Sequence, residues 1–112
     1  MQIHLNVGGN IHVTTASTLG KVEYFRKLIE GASEGESIFV DRDGTHFRYI
    51  LNWIRGSDVL PESLEVLREL CVETDFYMLH DMKRMLNFKI EHSQTVVEAL
   101  THLSTVIQQK TT

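Results

Sequence analysis

The densest group of side chains capable of chemistry lies between residues 41 and 46. Asp41, Arg42 and Asp43 are consecutive, and His46 follows three positions later. Carboxylates beside an imidazole could transfer protons or bind a metal ion, but no nucleophile or complete ligand set accompanies them. A planar guanidinium can instead hold a neighbouring carboxylate through two parallel hydrogen bonds. By themselves these residues therefore indicate a helix cap with surface ion pairs, and they disfavour catalysis.

Other patterns that could bind a metal or a phosphate are weak. The histidines are dispersed and Cys71 is the single cysteine, so neither an internal disulfide nor the usual multi-cysteine zinc site is possible. His4 and His12 are expected together on the polar face of one hairpin, where two histidines make a poor ligand set. Gly8-Gly9 lacks the Lys-Ser/Thr of a phosphate-binding loop and indicates a tight turn. We expect no metal, no cofactor and no enzymatic activity.

Composition points to one compact domain. The chain has 112 residues, of which 42% are hydrophobic, and its formal net charge is −4. Acidic and basic residues are interspersed, so the basic stripe that nucleic acids select is missing. No stretch approaches the ~20 apolar residues that cross a bilayer, and nothing at the N-terminus directs secretion. A lone thiol suits a reducing compartment, and we expect a cytoplasmic protein that neither inserts into membranes nor binds nucleic acid.

Hydrophobic periodicity predicts strands first and helices later. Residues 3–7 alternate apolar with polar, and a turn at Gly8-Gly9-Asn10 leads into a second strand in which Ile11 and Val13 form the apolar side. Residues 38–40 predict a third strand, buried on both faces. The predicted fold class is α+β, with a small three-stranded sheet covered by a cluster of short helices.

Helical periodicity divides the rest of the chain. One helix is expected over residues 18–30 and another over residues 62–73, followed by short helical turns near Thr74 and Asp81. Between them Phe47, Ile50, Leu51 and Ile54 recur at i, i+3, i+4 and i+7, a core stripe that Asp43 or Thr45 could cap. The sequence also carries an aromatic pair and a group of methionines. Tyr49 and Trp53 suit either the core or a partner contact, and the methionines are expected to fill the core, namely Met78, Met82 and Met85.

The C-terminal segment has a different character. Phe88 and Ile90 predict a short extended piece after Asn87, and Ser93 is expected to cap a final helix. In that helix Val96, Leu100, Leu103 and Ile107 are spaced 4, 3 and 4, like the seam of a coiled coil. A seam this short cannot hold a coiled coil alone, so it must pack either on the domain or on neighbouring chains.

An ordered series of motifs resembles one family. The series comprises residues 3–9 (IHLNVGG), Thr14-Thr15, Thr18-Leu19, residues 38–55 (IFVDRDGTHFRYILNWIR), Val59-Leu60-Pro61-Glu62 and residues 73–77 (ETDFY). It resembles the BTB/POZ domain of the potassium-channel-tetramerisation type, and most of all the soluble KCTD-like proteins. The resemblance predicts a BTB/POZ domain over residues 1–87 and a C-terminal extension, expected to be helical, over residues 88–112. The family's inter-subunit zinc site is not expected, because its paired cysteines are missing.

The resemblance implies an assembly module. Its members form rings of four or five copies, and many dock a cullin scaffold as adaptors of a ubiquitin ligase. The alternatives are the cytoplasmic assembly domain of a voltage-gated potassium channel, which would need apolar spans that do not occur here, and a regulatory ring partner without a substrate-recruiting domain.

The resemblance also suggests two sets of contact residues. The expected contacts between subunits are Asn6, Thr14, Thr15, Asp41, Arg42, Asp43, His46, Tyr49, Asn52 and Trp53. The expected cullin surface combines the loop at residues 32–37 with the segments 57–62 and 76–80, where its contact residues are Glu34, Glu36, Asp58, Glu62, Phe76, Tyr77 and His80. Its mainly acidic charge would suit a basic partner patch.

Overall fold

The computed structural model describes the backbone of residues 1–111 and the side chains of residues 1–93 and 100–104. It confirms the α+β class and the three-stranded sheet beneath a set of helices. The elements are β1 (Gln2–Val7), β2 (Asn10–Thr15), α1 (Ala16–Leu19), α2 (Glu23–Leu28), β3 (Ser37–Val40), α3 (Phe47–Ile54), α4 (Leu64–Phe76) and α5 (His80–Thr111).

The sheet has the order β2-β1-β3, with β1 antiparallel to β2 and parallel to β3. Gly8 and Gly9 form a two-residue turn with φ values of +56° and +102°, a conformation that costs glycine little. A Cβ at Gly8 would lie 2.2 Å from the carbonyl oxygen of Arg42, and one at Gly44 would lie 2.0 Å from that of Val7. The two glycines therefore let the hairpin turn and the polar segment at residues 41–46 pass in direct contact.

The register of the hairpin reverses the predicted sides of β2. Leu5 lies opposite His12, and Asn6 lies opposite Ile11. Since Leu5 is fully buried, His12 faces the core, whereas Ile11 is 65% exposed and Val13 is 47% exposed. His4 and His12 are consequently on opposite faces of the sheet, and the predicted histidine pair does not form.

The hydrophobic core lies between the inner side of the sheet and the helices. The predicted stripe of α3 is buried as expected, and it meets Ile3, Leu5 and Val7 of β1. Helices α4 and α5 close the core with Leu67, Leu70, Met82 and Leu86. An aromatic group sits at the centre of the core. In it Phe25 stacks on Tyr77 with ring centroids 5.1 Å apart, and Phe47 contacts both rings.

Two helical boundaries and the burial of strand β3 differ from the sequence prediction. The helix expected over residues 18–30 is two short helices, because Thr15 caps α1 by accepting the Thr18 N–H (3.1 Å) and the chain turns at Gly20. Helix α4 continues through Thr74 to Phe76, without a second start. Strand β3 is buried on one face only, since Val40 is 2% exposed and Phe39 60%.

Helix α5 is one continuous helix of 32 residues. The extended piece predicted at Phe88 and Ile90 is wrong, as is the helix start predicted at Ser93. The chain has neither glycine nor proline between His80 and Thr111, so nothing in this segment breaks the hydrogen-bonded ladder. Among the described residues, no helix combines the length and the apolar character required to cross a membrane.

Candidate functional site

The outer face of the sheet carries an exposed apolar surface. Ile11, Val13 and Phe39 are 65%, 47% and 60% exposed. Asn6 lies between them, in register with Ile11 on one side and with Phe39 on the other, and its Oδ1 accepts the Gly9 N–H at 2.8 Å. We call Asn6, Ile11, Val13 and Phe39 the outer sheet face. Apolar surfaces of this kind on soluble proteins mark interaction sites.

The sequence prediction found only one member of the outer sheet face. Asn6 was expected at a subunit contact, whereas Ile11, Val13 and Phe39 were assigned to buried positions. The length of the Gly8-Gly9 turn was the sequence signal that could have identified these residues. The turn length sets the register of the hairpin, and a shift of one residue exchanges the two faces of a strand.

Arg42, expected to contact a neighbouring subunit, is paired within its own chain. Its Nε and Nη2 donate to the two carboxylate oxygens of Glu73 at 3.0 and 2.8 Å. The same guanidinium lies 4.2 Å from the ring centroid of Phe76. This two-point pair joins the turn after β3 to α4 within one subunit, and the predicted contact of Arg42 with a neighbouring subunit stays a prediction.

The other polar residues of the 41–46 segment lie in the turn before α3. Oδ1 of Asp43 accepts the Thr45 N–H at 3.0 Å and the Thr45 hydroxyl at 2.6 Å, and these bonds lower the pKa of Asp43. His46 Nε2 lies 2.5 Å from Oε2 of Glu69, and Asp41 is exposed. The cap of α3 predicted at Asp43 or Thr45 is wrong, because the Asp43 carboxylate bonds to Thr45 before the helix begins. The N-cap position is His46, whose side chain makes no capping hydrogen bond. The interface role of this segment stays a prediction.

The remaining residues predicted at subunit contacts are distributed over both sides of the sheet and over α3. Thr14 is buried on the inner side, and Thr15 is exposed at the start of α1. Tyr49 and Trp53 are half-buried against the core. Asn52 accepts a hydrogen bond from Arg55, which also donates to the carbonyl oxygen of Val13 and so joins α3 to the edge strand β2.

Three of the four acidic residues predicted to bind a cullin form hydrogen bonds, each with a different part of the chain. Glu34 accepts the Gln2 N–H at 3.0 Å, beside β1. Glu36 accepts the Ser33 N–H at 2.6 Å within the loop before β3. Glu62 pairs with Lys89 of α5 at 2.9 Å, and Asp58 is exposed on the connector between α3 and α4. That these carboxylates form one binding surface stays a prediction.

The turn between α4 and α5 presents two of the three predicted aromatic or histidine contacts. Phe76 is 40% exposed, and His80 is exposed at the start of α5. Tyr77 is 1% exposed inside the aromatic core, where burial raises its pKa. Its side chain is therefore not available to a partner on the folded subunit.

Met78, expected in the core, lies on the surface at this turn. The Met78 and Leu79 N–H groups donate to the carbonyls of Asp75 and Thr74, the two bonds of a Schellman motif that ends α4. Met78 takes the left-handed position with φ +58° and is 56% exposed. The equivalent position after α3 is Gly56. A left-handed backbone is uncommon for residues other than glycine, and such outliers cluster at functional sites.

A shallow apolar depression adjoins Met78. Its volume is about 370 Å³, and it is lined by Tyr24 and Leu28 of α2 together with Glu23, Lys27 and Met78. Phe76 continues the surface, since its ring lies 5.3 Å from that of Tyr24 in an edge-on arrangement. We call Tyr24, Leu28, Phe76 and Met78 the α4–α5 corner. The sequence prediction included Phe76 of this set and missed the others.

Two comparisons with known proteins agree on the family. The family model described as the BTB/POZ domain matches residues 3–86. The chain belongs to the BTB/POZ domain family. It is also similar to the BTB/POZ domain-containing adapter for CUL3-mediated RhoA degradation protein 1 of Danio rerio, at 36% identity over 87 aligned positions. That alignment covers 71% of this chain and 26% of the relative, so the chain spans about a quarter of that protein's length.

The region matched as a BTB/POZ domain ends inside α5. The domain boundary predicted at residues 87 and 88 also falls within this helix, which crosses it without a break. Past the matched region Leu100 is 61% exposed and Leu103 is 56% exposed. The side chains of Val96 and Ile107, the other members of the predicted seam, lie outside the described residues.

Cys71 and His12, the other side chains capable of chemistry that the sequence analysis considered, pack against neighbouring side chains. Cys71 is half-buried and donates to Oδ1 of Asn87 at 3.5 Å, and burial raises its pKa, which disfavours the reactive thiolate. The His12 ring packs on Phe47 with centroids 5.1 Å apart. Within the part of the chain that the structure describes, no three histidine, cysteine or carboxylate side chains group as metal ligands do.

Proposed function

We propose that this BTB/POZ chain assembles with copies of itself into a closed ring of four or five subunits. The observation that carries the proposal is the outer sheet face, which exposes three large apolar side chains around Asn6. Burying it against another subunit removes this apolar area from water, which stabilises association. Self-assembly is also what the resemblance to the potassium-channel-tetramerisation branch implies.

The proposed ring is built from contacts between unlike faces. A ring of more than two copies needs a head-to-tail contact, because two like faces close into a dimer. In our proposal the outer sheet face of one subunit meets the neighbour's polar turn, to which Asp41 and His46 contribute. Arg42 supports this turn from within its own subunit through Glu73, so its contribution to assembly is indirect.

We further propose that the ring binds a cullin in the cytoplasm and acts as an adaptor. The support is the similarity to a relative whose name describes an adapter for CUL3-mediated degradation. The α4–α5 corner is the proposed contact, because it joins an exposed methionine in a left-handed conformation to an apolar depression. The acidic residues Glu34, Asp58 and Glu62 would steer a basic partner patch toward the ring.

Calorimetry with an N-terminal fragment of cullin 3 tests the adaptor role. The chain is expected to bind more tightly than ~10 µM, which corresponds to about −7 kcal/mol. Met78→Glu is expected to abolish binding. Met85→Glu is the matched control, since Met85 is 46% exposed on α5 and should not contact the fragment. No binding by an intact ring would contradict the adaptor role and would favour a regulatory ring partner.

A further inference from the structure

Helix α5 carries one stripe of regularly spaced positions. Among the described residues, only the first half of this stripe packs against the rest of the subunit. Residues 82, 86, 89, 93, 96, 100, 103 and 107 are separated alternately by four and three residues along the continuous helix. This is the seam spacing of helices that pack lengthwise on other helices. Met82 and Leu86 of the stripe are buried in the domain core.

The stripe leaves the domain near its middle. Lys89 marks the exit, because its Nζ donates to the carbonyl oxygen of Leu60 at 3.3 Å and to Glu62 at 2.9 Å. Among the α5 side chains that the structure describes, Ile90 is the last one packed against the core. Farther along, Leu100 and Leu103 are 61% and 56% exposed. The seam was expected to pack either on the subunit's own domain or on neighbouring chains. These two leucines do not pack on their own domain.

The positions beside the distal seam favour a bundle of several copies of the same helix. Val97, Ala99, Ser104 and Val106 occupy the flanking positions, which in two-stranded coiled coils usually carry charges. Within residues 96–107, parallel copies of this helix therefore bring no like charges together at the seam. Apolar flanks also widen the packing surface from a narrow seam to the broader face typical of helix bundles.

The area available suits a contact that acts together with the ring. At roughly 100 Å² for each aliphatic side chain, the seam and flanks of one helix offer on the order of 600 Å². This is below the ~800 Å² per partner of an independent interface. The distal helix would therefore associate only where another contact already holds several copies close together.

We propose that the distal half of α5, residues 96–107, packs in parallel against the same segment of the other subunits and forms a helical bundle around the ring axis. The inference rests on the proposed ring, because symmetry places equivalent helices at equal distances around that axis. The partner of this surface is thus the chain itself, and the bundle adds a second contact to the ring.

Disulfide cross-linking of the full chain tests the bundle directly. In a Cys71→Ser background, Leu103→Cys is expected to give covalent dimers under mild oxidation, since residues at this seam position face one another in a parallel bundle. His102→Cys, one position away and exposed, is the matched control and should cross-link far less.

The native mass of the same samples separates the two proposals. An intact ring whose Leu103→Cys cross-linking does not exceed that of His102→Cys would overturn the bundle and leave the ring standing. A monomeric mass would overturn both.

A charge-insertion pair provides a second measurement. Leu100→Glu with Leu103→Glu is expected to raise the protein concentration at which the ring dissociates by at least about tenfold. His102→Glu with Thr105→Glu introduces the same charge off the seam and should leave that concentration unchanged. Equal effects of the two pairs would overturn the bundle.

Discussion

Arg42 and Glu73 lie 31 residues apart in the chain and form a two-point ion pair inside one subunit. Their side chains are 28% and 14% exposed, and Phe76 covers the guanidinium. The pair joins the turn after β3 to α4, the helix whose end forms the α4–α5 corner. A residue that the sequence assigns to a subunit contact thus stabilises the fold that both proposed surfaces depend on.

Replacing Arg42 should mainly destabilise the subunit. Arg42→Ala leaves the partly buried Glu73 carboxylate without its partner, and we expect the free energy of unfolding to fall by about 1–3 kcal/mol in urea titrations. Arg84→Ala is the control, because its pair with Asp81 is exposed and its loss should cost less than about 0.5 kcal/mol. An Arg42→Ala chain with unchanged stability and a lowered assembly mass would show instead that the arginine acts between subunits.

Charging the outer sheet face should dissociate the ring. Phe39→Glu would place an unpaired carboxylate in the proposed contact at a cost of about 3 kcal/mol, which raises the dissociation concentration at least about a hundredfold. Light scattering over a dilution series measures this. Val59→Glu alters a residue that is 69% exposed on the connector after α3, and it should not change the mass. Equal behaviour of the two variants would place the subunit contact elsewhere.

The turn of the hairpin explains how far the sequence could predict this face. Alternation in residues 3–7 identified β1 and its buried side, and the structure confirms both. The sides of β2 depended on whether the turn has two residues or three, and a three-residue turn would place Ile11 and Val13 inside. Because the turn is Gly8-Gly9 alone, Val7 pairs with Asn10 and the polar residues of β2 face inward.

For the helices, the sequence predicts which face is buried but not which distant residues pair. The full i, i+3, i+4, i+7 stripe of α3 predicted its burial correctly, since each position is apolar and local spacing decides the face. The partner of Arg42 could not be predicted, because Glu73 comes close only through tertiary packing. The exposure of Met78 depends on the left-handed backbone that ends α4, and composition gives no sign of this in a methionine.

The chain should be less stable with methionine at position 78 than with glycine there. Met78→Gly is expected to raise the free energy of unfolding by about 0.5–1 kcal/mol, because it relieves the left-handed Cβ strain by more than the added chain entropy costs. Thermal denaturation checks this change. The reciprocal Gly56→Met at the end of α3 should destabilise the chain, although its Cβ would meet no atom within 4 Å. A destabilised Met78→Gly chain would show that packing on the α4–α5 corner outweighs the strain.

His12 should make stability depend on pH. Burial and then the charge of Arg55 lower its pKa below the ordinary 6.5. As the pH falls through 6.5, the unfolded chain binds a proton that the folded chain does not, so the free energy of unfolding decreases. Urea titrations at pH 7.5 and 5.5 should show a smaller decrease for His12→Gln. Asp43 and Asp75 titrate below 3.8 and do not contribute in this range. Parallel behaviour of the two chains would contradict the lowered pKa of the half-buried His12.

The native mass of the unmodified chain tests the central proposal most directly. Multi-angle light scattering after size-exclusion chromatography, with tens of micromolar chain loaded, measures it independently of molecular shape. A closed ring predicts a single species of four or five times the 12.9 kDa of one chain, with the same mass after dilution to low micromolar. A mass of one chain at the higher concentration would contradict the account, and a mass of two chains would indicate a contact between like faces in place of a ring.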